Sequence, residues 1–397
     1  MTLEIFFLLL SLGQLVKVTS NIEGVNFYLY DILAGVIVFS WFIKSIVINN
    51  IKIDRIYFPL IFFIIIGFVS LLLNYSYLNT LSFLSSLSYL ARFTMYSLLS
   101  LATSVIIKNK KDSLSITKVL IYSTVLLSVF GFAQLIIIPD FGMLDPLLGW
   151  DPHKNRLAST LFDPNFSAAY ISMGILLLSS FIFQEKELFK PGKSFIFLAI
   201  MFSAVFLTFS RSGWGMLVVG LTILGILKKR IILLPLFFVL IAIYFAVPRV
   251  QTKISGVADP SDSAYFRIKS WSNSLQIISN NLLIGVGFNS YRYAQERYGL
   301  LDYTYSLGGR SGSGSDSSLL LILSTTGILG AFAYLWFMFN ILKRSIKKIK
   351  SPFGLFFVSV LPAFAVESVF INSLFYPQIM AFLFVSLGIF FYSSSKL

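Results

Sequence analysis

The chain has 397 residues, 57% of them hydrophobic and only 12% charged, with a mean hydropathy of +0.84 and a formal charge of +14. A soluble domain carries about twice that charged fraction, so a soluble fold is excluded. With no Cys and a single His, disulfides, thiolate metal sites and a histidine-only metal site are excluded too; His153 is assigned no role.

Apolar runs near 20 residues recur along the chain, which marks an all-α polytopic membrane protein. In chain order the runs predict twelve spans, over residues 3–16, 27–47, 56–73, 83–107, 116–138, 166–183, 195–209, 214–227, 231–247, 317–342, 353–370 and 379–392. No small-residue cleavage site follows the first run, so it reads as a retained helix. The 42 Phe and 19 Tyr suit lipid-facing and interfacial positions. Three regions result: 1–247 with spans one to nine, 248–316 as one long polar loop containing short helices, and 317–397 with spans ten to twelve. No internal repeat is visible.

The cations sort by side. Lys108, Lys110 and Lys111 follow span four, and Lys186, Lys190 and Lys193 follow span six. Lys228, Lys229 and Arg230 follow span eight; Lys343, Arg344, Lys347, Lys348 and Lys350 follow span ten. The short links on the other side carry only Lys17, Lys154, Arg156 and Arg211. By the positive-inside rule the N-terminus is cytoplasmic, and the loops holding Asp163, Arg211 and Asp316 face outward. The net charge is accounted for in this way and needs no nucleic acid.

Several residues look chemical. Arg92 sits inside span four, where it either pairs with a partner in the protein interior or snorkels to the outer interface. Arg211 lies in the tight turn Ser210-Arg211-Ser212-Gly213, and its planar fork of donors suits phosphate oxygens. The bland alternative is a headgroup anchor. In the long loop, 263–278 reads as an amphipathic helix at the membrane surface, with Arg267 on its polar face as a phosphate ligand or a solvated charge. Gly285-Val286-Gly287 is a turn and fails as a dinucleotide fingerprint. Arg292, Arg297 and Arg310 add cations to the loop. Asp316, before span ten, is an N-cap or a base, with the spacing alone favouring the cap. Gly327 and Gly330 have the spacing of a tight helix contact. Asp163 or Asn165 can cap span six, and Glu367 can pair with an arginine. The outer loops hold no Asp-x-Asp pair, so a pyrophosphate leaving group without Mg²⁺ needs arginines to neutralise it.

The order and spacing of these residues resemble the O-antigen polymerase and O-antigen ligase superfamily. The resemblance runs through Tyr28-Leu29-Tyr30-Asp31, Arg156 to Asn165, Thr208-Phe209-Ser210-Arg211-Ser212, Arg267 to Trp271, Gly285-Val286-Gly287, and Ser315-Asp316-Ser317-Ser318-Leu319 with Gly327 and Gly330. It implies a GT-C-like membrane fold in the bacterial cytoplasmic (inner) membrane. It also implies metal-independent, cofactor-free, inverting glycosyl transfer from an undecaprenyl-pyrophosphate-linked oligosaccharide at the periplasmic face. Arg211 and Arg267 match family arginines implicated in pyrophosphate binding; Arg156, Arg292, Arg297 and Arg310 are further candidates for the phosphate and sugar. The interval from Arg297 to Gly308 resembles a loop motif of some polymerases. The ligase branch has a His where this chain has Asp316, which points to the polymerase branch, with a chain-length-determining co-polymerase as a further partner. The alternatives are the ligase that moves polymer to lipid A-core and, less well matched, a lipid-linked oligosaccharide transporter.

Overall fold

The computed structural model describes residues 2–18, 26–47, 53–143, 153–228, 263–301 and 314–395, together with positions 245, 248 and 251. Thirteen α-helices lie among them: α1 (Thr2–Leu12), α2 (Leu29–Val47), α3 (Phe58–Leu73), α4 (Thr80–Ile106), α5 (Lys110–Ile137), α6 (Pro164–Phe183), α7 (Pro191–Leu207), α8 (Arg211–Leu227), α9 (Ser263–Asn280), α10 (Tyr291–Arg297), α11 (Ser318–Lys347), α12 (Pro352–Phe370) and α13 (Pro377–Ser395). The only sheet among the described residues is a pair of two-residue antiparallel strands, β1 (Lys17–Val18) and β2 (Phe27–Tyr28). Among the described residues six helical segments are long and apolar enough to cross a membrane: α2, α3 with its preceding turn, α5, α6, α11 and α12. Four others are apolar but shorter: α1, α7, α8 and α13. The chain is a multi-pass membrane protein, and its described residues are mostly helical. Eleven of the twelve expected runs coincide with a helix; the ninth, 231–247, lies outside the described residues apart from position 245, as does most of the 248–316 loop beyond 263–301.

Local chemistry sets the helix ends. Asn79, Asn109, Asp163, Ser210, Ser317 and Ser351 each accept a backbone N–H from the first turn of the helix they precede. These side chains supply the acceptors that a helix start lacks. α6, α7 and α12 also begin on Pro, whose missing N–H has no partner to lose there.

α6 is the central helix, with 83% of its most apolar window buried against its neighbours. Large apolar side chains point outward from the rim, among them Phe39, Phe195 and Ile136. That is the pattern of a bundle whose solvent is lipid. α9 is mixed: it buries Ser270, Asn273 and Ser274 together with Ile277 and Ile278, and exposes Phe266, Ile268 and Leu275 alongside Lys269 and Gln276.

α11 is broken. At Gly327 the backbone turns to φ 65°, ψ −169°, which only glycine adopts readily. The turn after α9 fills the gap. Val286 and Gly287 donate to the Ser324 and Thr325 carbonyls, at 2.9 and 3.1 Å, and Ile328 donates to the Leu282 carbonyl at 2.9 Å. Asn74 reaches in to the Gly285 carbonyl and Ser70 to the Thr325 carbonyl, both at 3.0 Å. Gly327 is therefore not the helix-contact residue that its spacing with Gly330 suggests. It lets a second backbone run beside α11 and satisfy the hydrogen bonds that the break releases. Gly285 (φ 74°) is its counterpart, because a Cβ there would lie 2.5 Å from Thr325 and Thr326 backbone atoms.

The loops holding Asp163, Arg211 and Asp316 gather at one end of the bundle. The lysine-rich links occupy the other, where Arg344 pairs with Asp54 and Lys228 with Gln184.

Candidate functional site

Arg92 has a partner. Its Nη2 lies 3.0 Å from Asp31 Oδ2, both side chains are almost fully buried, and Arg92 also donates to the Asn26 carbonyl. Asp31 further accepts from the Tyr96 hydroxyl at 2.9 Å and from the Tyr28 N–H at 3.1 Å. From Tyr28 a polar chain crosses the bundle: the Tyr28 hydroxyl donates to Gln14 (2.7 Å), and Gln14 donates to the Tyr376 hydroxyl (3.1 Å). Tyr376 stacks on Phe166 at the start of α6, with ring centroids 4.2 Å apart. The ion pair thus anchors α2 to α4, and the polar chain beyond it leads to the loop between α12 and α13.

Arg211 is the first residue of α8 and half-buried. The turn before it is tightly held. Ser210 Oγ donates to Asn165 Oδ1 at 2.8 Å and accepts the Gly213 N–H at 3.2 Å. Gly213 lets α8 approach α6, since a Cβ there would come 2.3 Å from that of Ala168. Arg156 donates to the Thr208 and Phe209 carbonyls at 2.8 and 3.2 Å. The Arg156 guanidinium therefore braces the hairpin rather than standing open beside Arg211. Phe209 and Phe162, just before Ser210 and Asp163, both adopt left-handed backbone, at φ 47° and 58°. Bulky residues take that conformation only where surrounding structure enforces it, commonly at functional sites.

Asp163, not Asn165, caps α6: its Oδ1 accepts the N–H groups of Asn165 and Phe166 at 2.6 and 3.1 Å. The Asp163 carboxylate also acts electrostatically on Glu367 and on Tyr376. Glu367 is fully buried near the end of α12 and accepts from Ser373 Oγ. No arginine forms an ion pair with Glu367 among the described residues; Arg267, on α9, acts on it electrostatically. The end of α6 therefore links the Arg211 hairpin to the Arg267 neighbourhood.

The cap of α11 falls on Ser317, whose Oγ accepts the Leu320 N–H at 3.3 Å and donates to the Ser368 carbonyl at 2.9 Å. Asp316 stands one residue outside, so the helix-cap reading of Asp316 is corrected: spacing cannot separate adjacent polar residues, and the fold chose the second. The Asp316 N–H donates to Ser270 Oγ at 2.9 Å, while Ser274 donates to Ser315 Oγ at 2.8 Å and lies 2.7 Å from the Tyr291 hydroxyl. Burial, reinforced by the nearby Asp316 charge, pushes the Tyr291 phenol up to about 12, so it stays neutral. These bonds fix α9 and α10 to the start of α11.

The remaining arginines are not gathered at one point. Arg292 is half-buried in the first turn of α10. Arg297 is exposed, its guanidinium 4.3 Å from the Tyr77 ring centroid and 4.9 Å from that of Tyr298. Tyr298 accepts from Asn281, just past the end of α9. Arg267 lies near the opposite end of that helix, roughly 20 Å away at 1.5 Å per residue. Arg310 lies outside the described residues. Among the described residues no group of three His, Cys, Asp or Glu side chains has the spacing to hold a metal ion. Glu367 was legible in the sequence only as a lone carboxylate able to pair with an arginine, and Trp271 only as an aromatic of the loop helix.

The bundle is that of a multi-pass membrane protein, with arginines and carboxylates at one end. The model of the O-antigen ligase family matches residues 196–335, from α7 through the Arg211 hairpin and Arg267 into α11. That match supports an O-antigen polymerase/ligase-type function and does not distinguish polymerase from ligase. No curated protein matches the chain.

Proposed function

We propose that the protein is a surface-polysaccharide polymerase that joins undecaprenyl-pyrophosphate-linked repeat units at the periplasmic face of the bacterial cytoplasmic membrane. The observation that carries the reading is the arginine at the first position of α8 in a braced, strained hairpin, inside the stretch that the family model matches. A cation at a helix N-terminus opposes the helix dipole, whereas an anion there is favoured. Such an arginine makes sense if it meets a phosphate.

A hydroxyl of the acceptor unit attacks the anomeric carbon of the donor. The bond from that carbon to the pyrophosphate oxygen breaks with inversion, and its electron pair leaves with the pyrophosphate. Arg211 and Arg267 offset the charge that develops on the leaving group. Asp316, with capping taken over by Ser317, accepts the hydroxyl proton. Arg292, Arg297 and Arg310 attract the anionic donor from further out, and Arg156 acts through the hairpin it braces. A chain-length-determining co-polymerase is the expected protein partner.

The second reading is a ligase that transfers finished polymer to lipid A-core, the activity for which the matched family is described, although the match itself does not separate the two. A null strain separates the two: single repeat units remain on the core if the protein is the polymerase, and no O-antigen remains there if it is the ligase. Purified protein incubated with an undecaprenyl-pyrophosphate-linked repeat unit is expected to build a ladder, with or without EDTA. A ladder that EDTA abolishes would count against the arginine mechanism.

A further inference from the structure

Two stripes of side chains face each other beside the start of α11. Arg267 and Trp271 share one face of α9, four residues apart, and Glu367 and Phe370 share one face of α12, three apart. The Trp271 and Phe370 rings lie 5.9 Å apart, and Arg267 acts electrostatically on Glu367.

Polar atoms are left over here. Glu367 is 0% exposed; Ser373 satisfies Oε2, and Oε1 has no hydrogen-bond partner among the described residues. The same holds for Ser368 Oγ, Asn372 Oδ1 and Trp271 Nε1. Ser368 and Asn372 border segment 314–318, and Trp271 and Glu367 are chain neighbours of residues that do. Ser317 Oγ donates to the Ser368 carbonyl, and a Cβ at Gly314 would come 2.9 Å from the Asn372 amide nitrogen. Ser270, which accepts the Asp316 N–H, adjoins Trp271. Native interiors pair nearly all their buried polar atoms; others are left over elsewhere in the bundle, but these four lie on α9, α12 and the turn after it, two of them beside segment 314–318, and together they suit a ligand rich in hydroxyls.

We infer that Trp271, Glu367, Ser368 and Asn372 form a saccharide subsite that holds the acceptor sugar beside Asp316. The inference rests on the glycosyltransfer reading above. A sugar ring has an apolar C–H face for the indole and hydroxyls for a carboxylate, an amide and an N–H. Trp271 and Asn372 are part-exposed and Phe370 is exposed, so the subsite has an accessible rim, while Glu367 and Ser368 are its buried members. Glu367 Oε1 and Asn372 Oδ1 accept from sugar hydroxyls, and Trp271 Nε1 donates to one. The acceptor belongs here rather than the donor, because its hydroxyl must lie next to the group that takes its proton.

The test uses the full-length protein in detergent. The donor is the undecaprenyl-pyrophosphate-linked repeat unit, and the acceptor is the same oligosaccharide on a simple alkyl group without pyrophosphate. Glu367→Gln keeps the shape and puts an amide where the carboxyl group stood; Trp271→Phe removes the N–H at a part-exposed position where folding is not at risk. Each is expected to raise the acceptor KM about tenfold and leave the donor KM unchanged. Calorimetric binding of the alkyl oligosaccharide should weaken by a similar factor. If wild type binds it and both variants weaken that binding, the subsite stands even where no transfer is detected, and only the glycosyltransfer reading fails. Unchanged binding and acceptor KM in both variants, or no binding by wild type, would overturn the subsite.

Discussion

Arg92 Nη2 and Asp31 Oδ2 lie 3.0 Å apart, with the two side chains 8% and 6% exposed. Removing one member of a buried pair strands the other charge, which costs about 3–5 kcal/mol. Asp31→Ala should therefore lower thermal stability sharply in detergent, as read by fluorescence-detected size exclusion. An unshifted melting point would show that Arg92 finds another partner.

Asp316→Asn and Ser317→Ala form a matched pair. Ser317 caps α11, so Ser317→Ala should cost about 1 kcal/mol of stability while activity persists. Asp316 does not cap, so Asp316→Asn should leave the melting point in place and abolish transfer. Full activity in Asp316→Asn would remove it as the proton acceptor.

The two hairpin arginines should separate by phenotype. Arg211→Ala is expected to eliminate polymer in cells at normal protein level. Arg156→Ala breaks two bonds to backbone carbonyls, so both stability and activity should drop, the former by about 1–3 kcal/mol. Wild-type chain length in the Arg211→Ala strain would argue against its phosphate role.

At the break in α11, Gly327→Ala puts a Cβ 2.3 Å from the Leu283 carbonyl in a left-handed backbone, and little folded protein should be recovered. The control is Gly215→Ala in α8, where nothing lies within 4 Å. It should be neutral or stabilising by up to about 1 kcal/mol. Equal yields from both would contradict the inserted turn.

Asp54 supplies an acid-side signature. Burial raises its carboxyl, but the Arg344 hydrogen bond and the Ile56 N–H outweigh it and hold the carboxyl below its usual value. Its contribution is thus present above the unfolded value of about 3.9 and lost as pH falls through the lower folded value. Melting points of wild type and Asp54→Asn should differ at pH 6, begin to approach each other below about pH 4 and converge only once the pH is below the lowered folded value.

The apolar runs of the sequence determined the helices, because a chain in lipid must satisfy its backbone within each segment wherever 20 apolar residues allow it. The lysines likewise fixed which loops lie together, since charge near a span end is sorted by side. Pairings between segments were not legible. Nothing local told Arg92 that its partner was Asp31, 61 positions earlier, rather than the interface. Nor did spacing show that Ser317 rather than Asp316 would cap α11, that Arg156 would be consumed by the Thr208 and Phe209 carbonyls, or that Arg297 would settle on Tyr77. The glycines at 285 and 327 were visible only as a turn and a small-residue spacing; that one fits into the other depends on a backbone-to-backbone approach that no sequence pattern encodes. Tertiary structure decided these points because each depends on which groups burial leaves within hydrogen-bonding distance, and that is a property of the packed bundle, not of any one segment.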